Sequence, residues 1–383
     1  MAPSIVTDNG AASLARNEEV HEKHIDEMHT GVRSLEVNFE RFFGIVPSNV
    51  NESFSLTLAE QSYLPKVDNP RADWAVIAAF NSFQAYQRGQ LGKVQRFATI
   101  GTGSGTDMIA ALETFPDLEY GAMTDLHQSV VNAAKRNVLA ATDKSISRRS
   151  VAKSIYASAG DLLVPLRGQE AFDLIYEYVS RRKPYPLLAQ NLCKMDRNLP
   201  NIPLTTTGNL EDGQVSSTFI GDRTEDRVPA HVSEALLDLH YICLYQARVT
   251  RLIKPTGTIL SSMGGRVPLQ AMLDMADAAG YSGRVVSLAW KIQSEPETVI
   301  GEYAENQRKG LGQYYFYPTS ALAAAFGDLP SAAAALHASQ IERNLFHHRL
   351  DAETALEQHH AGVEIGHTVY VLASVLKGGS GFI

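Results

Sequence analysis

Nothing constrains the fold of this chain more than the run FATIGTGSGTDMIAALETF at 97–115. A β-like apolar run feeds Gly101, Gly103 and Gly105, and a helix opens at once. Glycine lets the backbone turn tightly and approach a ligand closely, where a side chain would collide. The stretch that follows repeats the theme. Short apolar strands alternate with helical segments, which is the pattern of a parallel sheet with crossover helices. It predicts strands at 97–100, 119–124, 154–157, 172–176, 257–261, 285–290 and 367–376, and helices at 107–113, 128–138 and 229–252. The expected class is α/β, doubly wound. Residues 1–90 read as a helical N-terminal extension ahead of a 91–383 domain, with an amphipathic helix at 74–86. Residues 291–366 read as a lid-like excursion before the last strand. It contains the aromatic run QYYFYP and an Ala-rich helix at 320–338, a lid or a contact between subunits.

Bulk properties narrow the partners. With 383 residues, 44% hydrophobic and 20% charged, the chain is of ordinary globular composition. It has no apolar run of about 18 residues, so no membrane span is expected. The first residues lack a basic segment followed by an apolar one, which speaks against secretion. Cys193 and Cys243 cannot make a disulfide framework, and a reducing cytoplasm fits. The net charge of -8 gives no basic face for phosphates, so the expected partner is a small molecule, not nucleic acid.

Asp125 ends the second strand, 24 residues beyond Gly101, near the spacing at which an acid meets a ribose diol. Asp161 follows the third strand, and FDLIY forms the fourth, at whose end a reaction centre belongs by the switch-point rule. A nicotinamide fingerprint would place its third glycine at position 106, which is Thr106. The ordered set GTGSG, TD, GDLL, FDLI resembles the motif series of class I methyltransferases over about 97–280. That resemblance implies a seven-stranded Rossmann-like sheet and S-adenosyl-L-methionine. It puts Gly101, Thr102, Gly103 and Gly105 on the methionine moiety, Asp125 and Leu126 on the ribose, and Asp161 and Leu162 on the adenine.

Relatives that methylate glutamine or adenine nitrogens carry N-P-P-Y two residues after FDLI. Here the element Asn198-Leu-Pro200-Asn201-Ile-Pro203 lies downstream of an intervening 20 residues, 178–197. Their removal gives FDLIYENLPNIP, the family spacing. The codons of Glu177-Tyr178-Val179 can spell a splice donor and Arg197 can close with AG. A retained intron and a genuine surface insertion are both open readings. Asn201 stands where the stacking Tyr would be, which lowers a planar nitrogen acceptor.

The N-x-P-x-x-P lip, I-K-P-x-G at 253–257, M-G-G-R-x-P at 263–268 and QYYFYP together resemble the methyltransferase domain of methionine S-methyltransferases. The short form, the kind that begins dimethylsulfoniopropionate synthesis, is the nearer match. The resemblance implies conversion of free methionine to S-methylmethionine. A thioether carries no proton, so no general base is required, and no Cys-His or Ser-His-Asp constellation is evident near the motifs. Candidate acceptor residues are Tyr176, Glu177, Asn198, Pro200, Asn201 and Arg266. Arg266 is placed on the α-carboxylate, Glu177 on an ammonium or the product sulfonium, and Tyr176 and Tyr241 around that cation. N-methylation of a small amine, an amide or a protein glutamine is the alternative, and a cofactor-binding pseudoenzyme is a third reading. His347, His348, His359, His360 and His367 read as solvated helix faces, and no metal is expected.

Overall fold

The computed structural model describes residues 33–89, 92–178, 228–310 and 312–378. Residues 33–58 are mainly strand, contrary to the helical expectation. Strand β1 (Arg33–Asn38), a short helix α1 (Phe39–Phe43) and strand β2 (Ser53–Leu58) form an antiparallel ribbon in which Arg33 faces Leu58. RSLEVN and SFSLTL alternate with period two, burying Val37, Phe54, Leu56 and Leu58 on one face. The surrounding polar residues masked that alternation. The ribbon docks on the main domain through Asn137, whose side chain accepts from Thr57 N at 2.7 Å and donates to Thr57 O at 2.9 Å.

After a wide π-type turn at Ala75–Phe80 come α2 (Asn81–Arg88), β3 (Arg96–Ile100), α3 (Thr106–Thr114), β4 (Tyr120–Asp125) and α4 (Gln128–Ala141). Then follow α5 (Ile146–Ser154), β5 (Tyr156–Ala159) and β6 (Phe172–Glu177). The predicted helix at 229–252 is two helices, α6 (Ala230–Glu234) and α7 (Asp238–Val249), separated at Leu236, which takes φ 56. The chain continues with β7 (Ile253–Gly265), α8 (Leu269–Ala278), β8 (Tyr281–Ile292) and α9 (Pro296–Arg308). A two-residue strand β9 (Tyr317–Pro318) precedes α10 (Thr319–Phe326), α11 (Ser331–Leu336), α12 (Ala338–Leu345) and α13 (Ala352–His360), and β10 (Ile365–Leu376) closes the described chain. The expected single Ala-rich helix breaks at Gly327 and Pro330, because the proline lacks a donor and cannot continue the turn before it. Leu322, Phe326 and Ile341 from these helices join the main core.

The sheet runs β5-β4-β3-β6-β7-β10-β8, with β3 to β7 parallel and β10 antiparallel to both its neighbours. This is the seven-stranded doubly wound sheet that the motif order implies, with β9 as a short addition beside β10. Strand order reverses at β3, between β4 and β6, so a crevice opens beyond the carboxyl ends of β3 and β6. One face of the sheet packs Phe97 and Tyr176 against Phe83 and Phe115. The other packs Phe172, Ile259 and Leu288 against Ile242 and Met275. Each such fully buried side chain contributes about 1.5–3 kcal/mol.

Candidate active site

The glycine loop is stitched to the tip of β4. Gly101 N and Thr102 N both donate to Thr124 O, at 2.9 and 3.1 Å. Its glycines serve different ends. Gly103 takes φ 54, and a Cβ there would project into space whose nearest atom, Tyr63 Cβ, is 4.0 Å away. Gly105 takes φ 83 and caps α3, but a Cβ there would sit 2.9 Å from Ala134 O and 3.2 Å from Ala134 Cα. Gly105 therefore lets α4 pack against the loop. Thr102 is turned beneath the loop, its hydroxyl donating to Asp107 Oδ1 at 3.0 Å. Asp107 also accepts from Thr99 Oγ1 and from Met108 N, and burial pushes its carboxyl up to about 6. The sequence reading passed over Asp107. A carboxylate in the first helical turn after the glycines was the available signal.

Asp125 ends β4 and accepts from Gly103 N at 3.0 Å, while burial raises its carboxyl above the ordinary range. Leu126 beside it is exposed. Gly160 N donates to Asp125 O at 2.9 Å, which ties the third-strand loop to the second. Asp161 follows, buried, and Leu162 takes φ 46, a left-handed conformation that costs a side-chain-bearing residue about 1–2 kcal/mol. Thr124 Oγ1 to Leu162 O (2.9 Å) and Leu163 N to Gln246 Oε1 (3.0 Å) hold it there. The open backbone at Gly103 lies beside the Asp125 carboxylate, with Asp161 on the loop one strand further out. Such a set would fit S-adenosylmethionine, with backbone groups at its amino-acid end and the two acids toward its ribose hydroxyls and adenine amine.

At the tip of β6 the alternation separates the two expected residues. Tyr176 points into the core, its ring 5.1 Å from Phe83, so it cannot shelter a cation in the crevice. Glu177 points to the other face, fully buried, and His240 Nδ1 lies 2.7 and 2.9 Å from its two oxygens. A carboxylate only accepts when ionised, so in that state Nδ1 carries the proton of this bond. His240 was not among the residues the sequence singled out. The two residues lie 63 positions apart, on β6 and α7, and no local motif joins them. Tyr241 stacks on Tyr245 with centroids 6.3 Å apart. Tyr178 extends the line of β6, with Tyr178 N donating to Ile100 O at 3.0 Å. Asn198, Pro200 and Asn201, and the rest of the segment 179–227, lie outside the described residues.

The tips of β7, β10 and β8 bring together a second group. Arg266 is not a surface arginine beyond a turn. Its guanidinium folds back over Gly264, where a Cβ would lie 2.4 Å from Nη1, so Gly264 makes room for it, while Gly265 makes room for Thr368 and Tyr370. Nη2 donates to Gln293 Oε1 at 2.9 Å and to His367 Nε2 at 3.0 Å, and Nη1 reaches the Tyr303 hydroxyl at 3.5 Å. His367 is buried in β10, within the strand predicted at 367–376 and not on a solvated face. It receives from Arg266 on Nε2 and donates from Nδ1 to Thr368 O at 2.8 Å, which fixes one neutral tautomer. Burial, then Arg266 and Lys291, holds its pKa well below the ordinary imidazole value. Lys291 is directly opposite His367 in the sheet, and its Nζ lies 5.1 Å from the ring of Trp74. Trp74 in turn sits 5.0 Å from the Tyr178 ring. Lys291, His367 and Trp74 were missed because strand periodicity reads buried polar residues as turns or surface.

Among the described residues no group of three or more His, Cys, Asp or Glu is arranged to hold a metal, and no helix is long and apolar enough to cross a membrane. No protein-family description and no curated protein matches the chain. Solved structures overlap it at low similarity. A precorrin-6y C5,15-methyltransferase from Geobacter metallireducens is 10% identical, covering 83% of this chain and 92% of its own, with a TM-score of 0.34. The YcgJ protein of Bacillus subtilis is 12% identical over 77% of this chain and 97% of its own, at 0.37. A TehB-like SAM-dependent methyltransferase from Corynebacterium glutamicum is 12% identical over 54% and 75%, at 0.27. The strand order and the side chains at the strand tips, not these overlaps, bear on function.

Proposed function

We propose that the chain is an S-adenosylmethionine-dependent methyltransferase acting on a small, carboxylate-bearing acceptor, with the thioether of free methionine as the leading one. The observation that carries the reading is the open backbone at Gly103 bonded to Asp125, beside the point where strand order reverses. When bound, S-adenosylmethionine supplies a methyl group on a sulfonium, ready for in-line displacement. Asp125, now on the Gly103 amide, exchanges that bond for the ribose hydroxyls. Arg266 grips the acceptor carboxylate, and Glu177 puts negative charge at the tip of β6 near the transferring cation. A thioether sulfur gives up no proton, so the chain need only align the two sulfurs with the methyl carbon.

A second reading rests on one observation, the His240–Glu177 bond. With Nδ1–H held by Glu177, Nε2 can accept a proton from an amine or amide, which makes the pair a general base for N-methylation. The two readings part at His240→Gln, which spares thioether transfer and stops transfer from an amine or amide.

The test is incubation of the full chain with methyl-labelled S-adenosylmethionine and a panel of free amino acids, amines and a glutamine peptide, read by mass spectrometry. S-methylmethionine, with one added methyl and a fixed charge, is the expected product. A product from amines or amides alone moves the function to the second reading. Cofactor binding without any product overturns both and leaves a pseudoenzyme.

A further inference from the structure

Lys291 is 2% exposed, and its single hydrogen bond to a described side chain is a long one, 3.5 Å to Ser294 Oγ. It makes no ion pair with any described residue. Arg266 beside it bonds only neutral groups, and its buried Nε has no acceptor. Asp73, the acid whose field most favours the Lys291 ammonium, already accepts from Lys66 N at 2.7 Å and Ala75 N at 2.8 Å. Two cations thus stand together with no carboxylate bonded to either among the described residues, a costly arrangement that an anion in contact would relieve. Burial first, then Arg266, pulls the Lys291 ammonium down to about 8, with Lys66 adding to the fall and Asp73 and Glu295 opposing it. Neutral His367 adds no charge and aims Arg266.

We propose that Lys291, against the ring of Trp74, and Arg266 form the subsite for the carboxylate of the methyl acceptor. This rests on the acceptor reading above and adds to it a second cation, an aromatic wall and a proton. Arg266 Nε–H and Lys291 Nζ–H are two donors for the two oxygens of one carboxylate. Trp74 touches both Lys291 and Tyr178, so the subsite lies within a small molecule's length of the tip of β6. An anion in contact raises the Lys291 pKa. Binding above about pH 8 therefore takes up a proton, and affinity falls as pH rises through that range.

The test titrates the full chain with sodium propionate, L-methionine, L-methioninol and inorganic phosphate. It reads tryptophan fluorescence, and calorimetric proton uptake in two buffers at pH 8.5. Lys291→Met, close in size and apolar, should weaken propionate and methionine at least about tenfold and abolish the proton uptake. Unchanged S-adenosylmethionine affinity in the variant shows that it is folded. Propionate binding that depends on Lys291, without methylation of methionine, upholds the subsite and removes methionine as the acceptor. Three results overturn the proposal: no carboxylate binding to the wild type, carboxylate binding undiminished in Lys291→Met, or methioninol or phosphate binding as well as the carboxylates.

Discussion

Gly103 and Gly105 are two residues apart in one loop, yet alanine should harm them in different ways. Both hold left-handed backbone, at φ 54 and φ 83, so either substitution costs about 1–2 kcal/mol of backbone strain. Against that stands about 0.4–1 kcal/mol from the stiffer unfolded chain. At Gly103 little else changes, since the new methyl meets nothing nearer than Tyr63 Cβ at 4.0 Å. At Gly105 the methyl would lie 2.9 Å from Ala134 O and 3.2 Å from Ala134 Cα, all within a helix that cannot rotate aside. Overpacking of that kind adds about 1–3 kcal/mol. Gly105→Ala is therefore expected to lose about 2–4 kcal/mol of stability, and Gly103→Ala about 1 kcal/mol or less. Ligand binding should show the reverse order. The Gly103 methyl fills the cradle and weakens S-adenosylmethionine at least about tenfold, because a blocked approach to the backbone forfeits its hydrogen bonds. Folded Gly105→Ala should lose much less. Urea unfolding gives the first quantity and calorimetric titration the second. Equal destabilisation by the two variants, or full cofactor affinity in Gly103→Ala, would refute the division of roles.

Asp125→Asn should weaken S-adenosylmethionine by about ten- to a hundredfold in the same titration, because an ionic acceptor for the ribose becomes a neutral one. Gly264→Ala drives the Arg266 guanidinium off its seat, since the methyl would lie 2.4 Å from Nη1. Steady-state kinetics should then show KM for the acceptor raised about tenfold or more, with cofactor affinity kept. The Asp107 carboxyl is held at about 6 against an ordinary 3.8, so the folded chain binds that proton more tightly than the unfolded one. Stability accordingly falls as pH rises from about 4 to about 6, by at most about 3 kcal/mol, and Asp107→Asn should flatten that slope in urea titrations.

Much of this was legible in order along the chain. Strand, glycine turn and helix at 97–115 depend on neighbours within a few residues, as do the acids at the ends of β4 and β5. The ribbon at 33–58 was legible too, in the period-two alternation of RSLEVN and SFSLTL, but charged neighbours hid it. What the sequence by itself determined is the doubly wound sheet and the identity of the loop and acids at its first crossover, because local periodicity and glycine geometry decide both. Only the tertiary structure decided which side chains share a face beyond the sheet. Tyr176 went to the core and Glu177 to His240 because adjacent strand residues point oppositely. Arg266, Lys291 and His367 met because antiparallel pairing of β10 with β7 and β8 joins residues as far as 101 positions apart. Register between distant strands is set by the packing of the whole sheet, and no short stretch of sequence carries it.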